Sequence, residues 1–105
     1  MRVEWDSHAS SERKEVAAYI RKIFGIRRAR MFKEEVDQTV EMLRRSPGIG
    51  QIDPLFEGRA ETYRSVIING LNKVVYYVKG DILHIAAFWD TRREPKNQAG
   101  RQNSS

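Results

Sequence analysis

Residues 62–95 read TYRSVIINGLNKVVYYVKGDILHIAAFWDTRREP. Asn69-Gly70 separates two runs that are rich in β-branched and aromatic residues, which is typical of a β-hairpin because both residues tolerate the positive φ of a type I′ turn. Lys79-Gly80-Asp81 repeats this pattern ten residues later. The stretch therefore predicts three antiparallel strands joined by two tight turns, at about 62–69, 72–78 and 82–89.

The residues before this stretch indicate a short strand and two helices. Met1 to Trp5 alternates between apolar and charged side chains, which favours a strand. Apolar residues then recur at helical spacing as far as Phe24, and Gly25 suits a helix end because it adopts left-handed backbone easily. A second apolar stripe predicts a helix from Arg27 or Arg28 to Arg45.

These elements predict an α+β fold in the order β-α-α-β-β-β. Residues 47–61 contain glycine and proline without any periodicity, so we expect a loop there. The short link between the helices requires an antiparallel helical hairpin, whose apolar face can pack only on the small antiparallel sheet. We expect one domain over residues 1–96, followed by a frayed polar tail at 97–105.

Composition limits the classes of function. The chain has 105 residues, 40% of them hydrophobic and 31% charged, which suits one small globular domain. Its apolar runs fall short of the roughly 20 residues that span a membrane, and it opens without a secretory leader. The lack of cysteine excludes disulfides and fits a reducing cytoplasm. A net charge of +5 suits nucleic acid or an acidic protein as partner.

Cations are the residues best placed to bind a target. Arg64 stands inside an otherwise β-branched strand, Lys73 opens the next strand, and Arg92 and Arg93 follow the last one. Because adjacent strands lie about 5 Å apart, these side chains are candidates for one basic rim that binds phosphate or carboxylate. The alternative is structural: Arg64 pairs with an internal carboxylate such as Glu61 or Asp90, and the arginine pair is merely solvated.

Other catalytic signals are weak. Gly48-Ile49-Gly50 reads as a turn rather than a phosphate loop, and His8 and His84 are too far apart for a local metal motif. We therefore expect neither a metal nor another cofactor. For RNA cleavage the chain would also need a general base, for which Glu94 is a candidate and His84 a weaker one.

The layout resembles the RelE/ParE superfamily of toxins from bacterial type II toxin–antitoxin operons. The similarity covers about residues 1–95 and includes Phe24-Gly25, the segment from Met42 to Gly50, Tyr63-Arg64, and the final strand with Asp90-Thr91-Arg92-Arg93-Glu94-Pro95. The fold of that family agrees with the element order derived above.

The resemblance implies a toxin that a cognate antitoxin neutralises. RelE-like members are ribosome-dependent endoribonucleases that cut mRNA, whereas ParE-like members act on DNA gyrase and lack the catalytic set. The long helical hairpin and the Pro47–Gly50 turn look more ParE-like, so we expect a cytoplasmic gyrase-binding toxin. The alternatives are a RelE-like mRNA interferase and a degenerate member whose only partner is its antitoxin.

Functional residues carry over by position. Arg64 matches the family's arginine on the second strand, and Arg92 or Arg93 matches its basic residue after the last strand. A further arginine position falls on Asn72 or Lys73. If the chain were a nuclease, the resemblance would make Arg64, Arg92, Arg93 and Glu94 its catalytic candidates; in either case Arg64, Lys73, Arg92 and Arg93 are expected to bind the target or phosphate.

Overall fold

A computed structural model describes residues 1–91, which form a five-stranded sheet with a helical hairpin on one face. The elements are β1 (Arg2–Trp5), α1 (Ser7–Phe24), α2 (Ile26–Arg45), β2 (Gln51–Ile52), β3 (Arg64–Ile68), β4 (Asn72–Lys79) and β5 (Ile82–Asp90). The predicted α+β fold is confirmed. The tail predicted at 97–105 and the candidates Arg92, Arg93 and Glu94 lie outside the described residues.

The sheet is mixed rather than purely antiparallel, which corrects one part of the sequence prediction. Its strand order is β1-β5-β4-β3-β2, and β1 runs parallel to β5 with Val3 opposite Leu83. The backbone N–H of Arg2 donates to Asp81 O, and that of Asp6 donates to Ile85 O, at 3.0 and 2.9 Å. The hairpin α1–α2 separates β1 from the other strands, so no local turn in the sequence specifies this pairing.

Both predicted hairpin turns are present. Asn69 and Gly70 have φ values of 57° and 69°, and Leu71 N donates to Ile68 O at 3.1 Å, as a type I′ turn requires. In the second turn only Gly80 has a positive φ, of 62°, which is the φ pattern of a type II′ turn. These turns fix the register of β3, β4 and β5.

Residues 47–61 are more ordered than a plain loop. Gln51–Ile52 forms the short strand β2 opposite Ser65 and Arg64, and 3-10 turns cover Pro47–Ile49 and Pro54–Phe56. The prediction of an irregular loop was therefore wrong in this part. Two residues of strand are too few to give a periodic signal in the sequence.

One face of the sheet and the inner side of the hairpin form the core. Ala9 of α1 and Phe32, Val36 and Leu43 of α2 pack with side chains that include Tyr76 and Phe88 of the sheet. The rings of Phe32 and Phe88 meet edge to face with their centroids 5.9 Å apart. Gly25 alone links the helices, and its φ of 95° allows the chain to reverse there. Neither helix within residues 1–91 is long and apolar enough to cross a membrane.

Candidate functional site

Arg64 anchors a turn inside the protein. Its Nη1 donates a hydrogen bond to Gly50 O at 2.8 Å, so the partner is a backbone carbonyl rather than the carboxylate of Glu61 or Asp90. Tyr76, opposite Arg64 on β4, donates from its hydroxyl to Pro47 O at 2.6 Å and accepts from Gly50 N at 3.0 Å. Together the two side chains hold the Pro47–Gly50 turn against the sheet.

Space around this turn is tight. A Cβ on Gly50 would lie 2.6 Å from the Tyr76 hydroxyl oxygen and 2.9 Å from Ser65 O, so only glycine fits. Tyr76 is fully buried, and this desolvation raises the pKa of its phenol even though Gly50 N–H and the Arg64 charge act in the opposite direction. The phenol therefore stays protonated and keeps its hydrogen bond to Pro47.

Lys73 forms a buried ion pair. Its Nζ lies 2.7 Å from Asp53 Oδ2, and the side chains are 9% and 0% exposed. Burial alone would raise the pKa of Asp53, but hydrogen bonds from Lys73, the Leu55 backbone and Ser65, together with the Lys73 charge, outweigh it and lower the pKa. The Asp53 carboxyl is therefore ionised at neutral pH.

The two described cations of the predicted rim do not converge. Arg64 lies opposite Tyr76, whereas Lys73 lies opposite Ile67, three residues further along β3. Because side chains alternate between the faces of a strand, an offset of three places them on opposite faces. The contacts agree with this assignment. Arg64 donates a hydrogen bond to Gly50 O. Lys73 pairs with Asp53 and lies over the ring of Trp89. The 5 Å spacing between neighbouring strands suggested that Arg64 and Lys73 lie close together, but it does not determine on which face of the sheet each side chain lies.

The sheet face opposite the helices carries a row of neighbouring rings, which are stacked except for the Tyr63–Tyr77 pair, tilted by 49°. Tyr77 lies 4.7 Å from His84 and 4.8 Å from Tyr63, measured between ring centroids. Phe56 continues the row, 4.7 Å from Tyr63 and 6.3 Å from Trp89. The guanidinium of Arg59 caps the Phe56 ring at 4.9 Å. We call Trp89, Phe56, Tyr63, Tyr77 and His84 the ring row.

His84 lies at one end of the ring row, beside acidic groups. Its Nδ1 is 4.0 Å from Glu4 Oε1 across the β1–β5 pairing. Burial raises the pKa of the neighbouring Tyr77, and Asp6, Tyr63, Glu61 and Glu4 raise it further by their negative charge. The sequence pattern singles out His84 but not the ring row, although Tyr63 and Tyr77 fall in or beside predicted strands. Phe56 could not be assigned to the ring row from sequence, because its position depends on the backbone path of residues 53–63.

The end of the helical hairpin exposes large apolar side chains. Ile23 and Phe24 at the end of α1 and Ile26 at the start of α2 are each at least half exposed, and Tyr19 lies one turn earlier. We call these four residues the hairpin tip. Surface apolar residues are common singly, but a contiguous group marks an interaction site more often.

Metal chemistry finds little support in the described part of the chain. Within residues 1–91 no three His, Asp or Glu side chains gather in a way that could hold a metal ion.

Comparison with known proteins identifies the family. The family model for the ParE toxin of the type II toxin–antitoxin system parDE matches residues 3–95. A solved structure titled "Chromosomal ParDE TA system from P. aeruginosa" shares the fold with a TM-score of 0.69 and 15% identity, covering 86% of this chain and 95% of that one. Among curated proteins none matches in sequence. The chain belongs to the ParE toxin family of type II toxin–antitoxin systems.

Proposed function

We propose that this toxin acts by binding a cellular protein such as DNA gyrase, performs no chemistry of its own, and is neutralised by a cognate antitoxin. Family membership supports the toxin assignment, and the ParDE system of the similar structure favours an antitoxin as partner. We place its action in the cytoplasm, which the absence of cysteine favours.

The observation that carries the choice of binding over catalysis is the separation of Arg64 from Lys73. Cleaving RNA requires cations that converge on the scissile phosphate where negative charge develops. Arg64 and Lys73 lie on opposite faces, and each is engaged with an internal acceptor. A protein that acts by binding has no need for that convergence.

The hairpin tip is our candidate surface for the target. Its four side chains project at the far end of the two helices, where residues 1–91 leave them largely uncovered. Burying such side chains in an interface contributes roughly 25 cal/mol per Å² of apolar surface, before the costs of association are subtracted. The tip therefore offers apolar anchor residues of the kind that dominate protein interfaces.

The edge of β3 is our candidate surface for the antitoxin. Of the described strands, β2 covers this edge only opposite Arg64 and Ser65, which leaves Val66 to Ile68 without a partner on that side. Ile67 on this segment is 51% exposed. An open edge with an exposed apolar side chain suits an added strand from a partner.

One observation favours a nuclease as the second candidate function. His84, Glu4 and Tyr77 bring a histidine, a carboxylate and a phenol together within the ring row, where the His84 side chain is 18% exposed. Histidine with a nearby carboxylate is a common general base, and aromatic rings stack on RNA bases. His84→Ala therefore separates the two candidates, because only the nuclease requires this side chain.

Induction of the toxin without an antitoxin tests the proposal in cells. We expect growth arrest with filamentation, induction of the SOS response and intact mRNA, both for the wild type and for His84→Ala. Cleavage of mRNA between codon positions that His84→Ala abolishes would establish the nuclease instead. If cells grow normally although folded protein is verifiably expressed, the remaining explanation is a degenerate toxin whose only partner is its antitoxin.

A further inference from the structure

The two helices enclose a second surface, which shares only Ile26 with the hairpin tip. On the side away from the ring row, α1 and α2 form a groove of about 780 Å³. Its lining residues are Arg13, Lys14, Ala17, Ala18, Arg21, Lys22, Ile26, Ala29, Arg30, Phe32 and Lys33. Six of these are cations, and none of the described lining residues is acidic.

The groove has an apolar floor and a basic rim because of the helical repeat. On α1, Ala17 lies between Arg13 and Arg21 at steps of four residues, and Ala18 lies between Lys14 and Lys22 in the same way. Residues four apart lie above one another on a helix. Alanine leaves the floor open, so that another helix can approach closely, and Ile26, Ala29 and Phe32 of α2 complete it.

Four of these six cations form no ion pair within residues 1–91. Arg13 lies over the ring of Trp5 at 4.8 Å, and Lys33 pairs with Asp37 at 2.9 Å. The other four cations, which form no ion pair with a described residue, are Lys14, Arg21, Lys22 and Arg30. A partner here must therefore supply negative charge, while the apolar floor requires apolar side chains as well.

We propose that this groove binds an acidic amphipathic α-helix of a protein partner. The lined part of α1 runs from residue 13 to residue 22, which is about 14 Å at 1.5 Å per residue, or between two and three helical turns. An apolar stripe along such a helix fills the alanine floor while flanking carboxylates reach the cations on both sides. The proposal rests on the groove alone and holds for any target of the toxin.

Nucleic acid is the competing ligand for a cluster of cations. The phosphate backbone of a nucleic acid could contact the basic rim. Its bases, however, would find no exposed aromatic rings to stack on among the described residues of the alanine floor, and such rings are typical of single-stranded nucleic acid sites. The floor of this groove contains alanine and isoleucine, with the single ring of Phe32 96% buried in the core. The combination favours a helix.

Binding of two designed peptides to the full-length chain tests the proposal. The first is a helical peptide of about 14 residues with leucine at positions i, i+3, i+4 and i+7 and glutamate elsewhere. The second has the same glutamates but glutamine in place of each leucine, so that its charge is identical. We expect the first peptide to bind at least about tenfold more tightly, a difference of about 1.4 kcal/mol.

Charge reversal locates the binding. Arg21→Glu with Lys22→Glu should weaken binding of the leucine peptide by about tenfold or more. Arg45→Glu with Lys79→Glu is the matched control, because both side chains are about 70% exposed outside the groove and the change in net charge is the same. Should the groove variant fail to fold by circular dichroism, Arg21→Gln with Lys22→Gln replaces it, with Arg45→Gln and Lys79→Gln as its control.

Each outcome decides the matter. Equal affinity for both peptides would overturn the proposal in favour of simple polyanion binding, as would a single-stranded oligonucleotide that competes with the leucine peptide. An equal loss of affinity in both charge-reversal variants would show that binding depends only on net charge. Unchanged affinity in the groove variant would show that the peptide binds outside the groove. Gyrase inhibition is measured separately, so that failure of the groove leaves the proposed target untouched.

Discussion

Lys73 Nζ lies 2.7 Å from Asp53 Oδ2, and almost nothing of either side chain is exposed to solvent. The pair ties β4 to residue 53, which immediately follows β2. Two opposite charges that lie this deep must be kept together, because either one alone would be left buried and unpaired.

Lys73→Ala should lower the free energy of unfolding by about 3 kcal/mol, because it leaves the Asp53 carboxylate buried without its partner. Urea denaturation at pH 7 measures this change. Lys33→Ala is the control, since it breaks an exposed pair with Asp37 that is worth at most about 1 kcal/mol. A Lys73→Ala protein of unchanged stability that no longer arrests growth would instead show that Lys73 binds the target.

The Asp53 pair should also make stability depend on pH. Since the folded protein lowers the pKa of Asp53, its contribution is fully present above the carboxyl's unfolded pKa of about 3.9 and is lost as pH falls through the lower folded value. The wild type should therefore lose more stability than Asp53→Asn between pH 7 and pH 3. Urea midpoints of both proteins at the two pH values measure this. Parallel losses would contradict the assigned ion pair.

Gly50→Ala should destabilise the protein by more than about 2 kcal/mol, because the new methyl group would clash with the Tyr76 hydroxyl and Ser65 O. Gly48→Ala is a close control two residues away, with nothing within 4 Å of its added Cβ. Thermal melting of both variants measures the difference. Similar melting temperatures would contradict the tight packing of the Pro47–Gly50 turn.

Tyr76→Phe removes the hydroxyl that binds Pro47 and Gly50, and we expect a cost of about 1–3 kcal/mol from the unsatisfied backbone groups. Combined with Gly50→Ala, the loss should be smaller than the sum of the two single changes, since the hydroxyl is also the nearest atom in the clash. Additive losses in urea denaturation would show that Ser65 O, rather than Tyr76, limits the space.

Arg92→Ala with Arg93→Ala should leave folding intact and abolish toxicity, because guanidinium groups after the last strand are expected to contact the target. The control is Arg44→Ala with Arg45→Ala, which removes the same charge from the end of α2. Growth after induction and thermal melting of both double variants are the measurements. A large fall in melting temperature for the first variant would assign the pair a structural role.

The sequence predicted what local residues determine. Asn69-Gly70 and Gly80 specify their turns by backbone conformation, and Gly25 marks the link between the helices because few residues adopt its φ. The parallel pairing of β1 with β5 was missed because the two strands are joined through 76 intervening residues rather than a turn. Non-local pairings of this kind leave no periodic signal in either strand.

The candidate site was predictable by residue type but not by geometry. Arg64 and Lys73 were singled out because charges inside strands need partners. Their partners are the backbone carbonyl of Gly50 and the carboxylate of Asp53, which lies in a segment without periodicity. Pairing charges along the sequence predicts neither partner. The ring row likewise depends on Phe56, whose position follows from the fold of residues 53–63.

DNA supercoiling by purified gyrase tests the central claim of a toxin that acts by binding. We expect the wild type and His84→Ala to inhibit supercoiling equally, whereas Ile23→Ser with Phe24→Ser at the hairpin tip should inhibit much less while melting at a similar temperature. Unimpaired gyrase activity, together with His84-dependent cleavage of mRNA on purified ribosomes, would contradict the account.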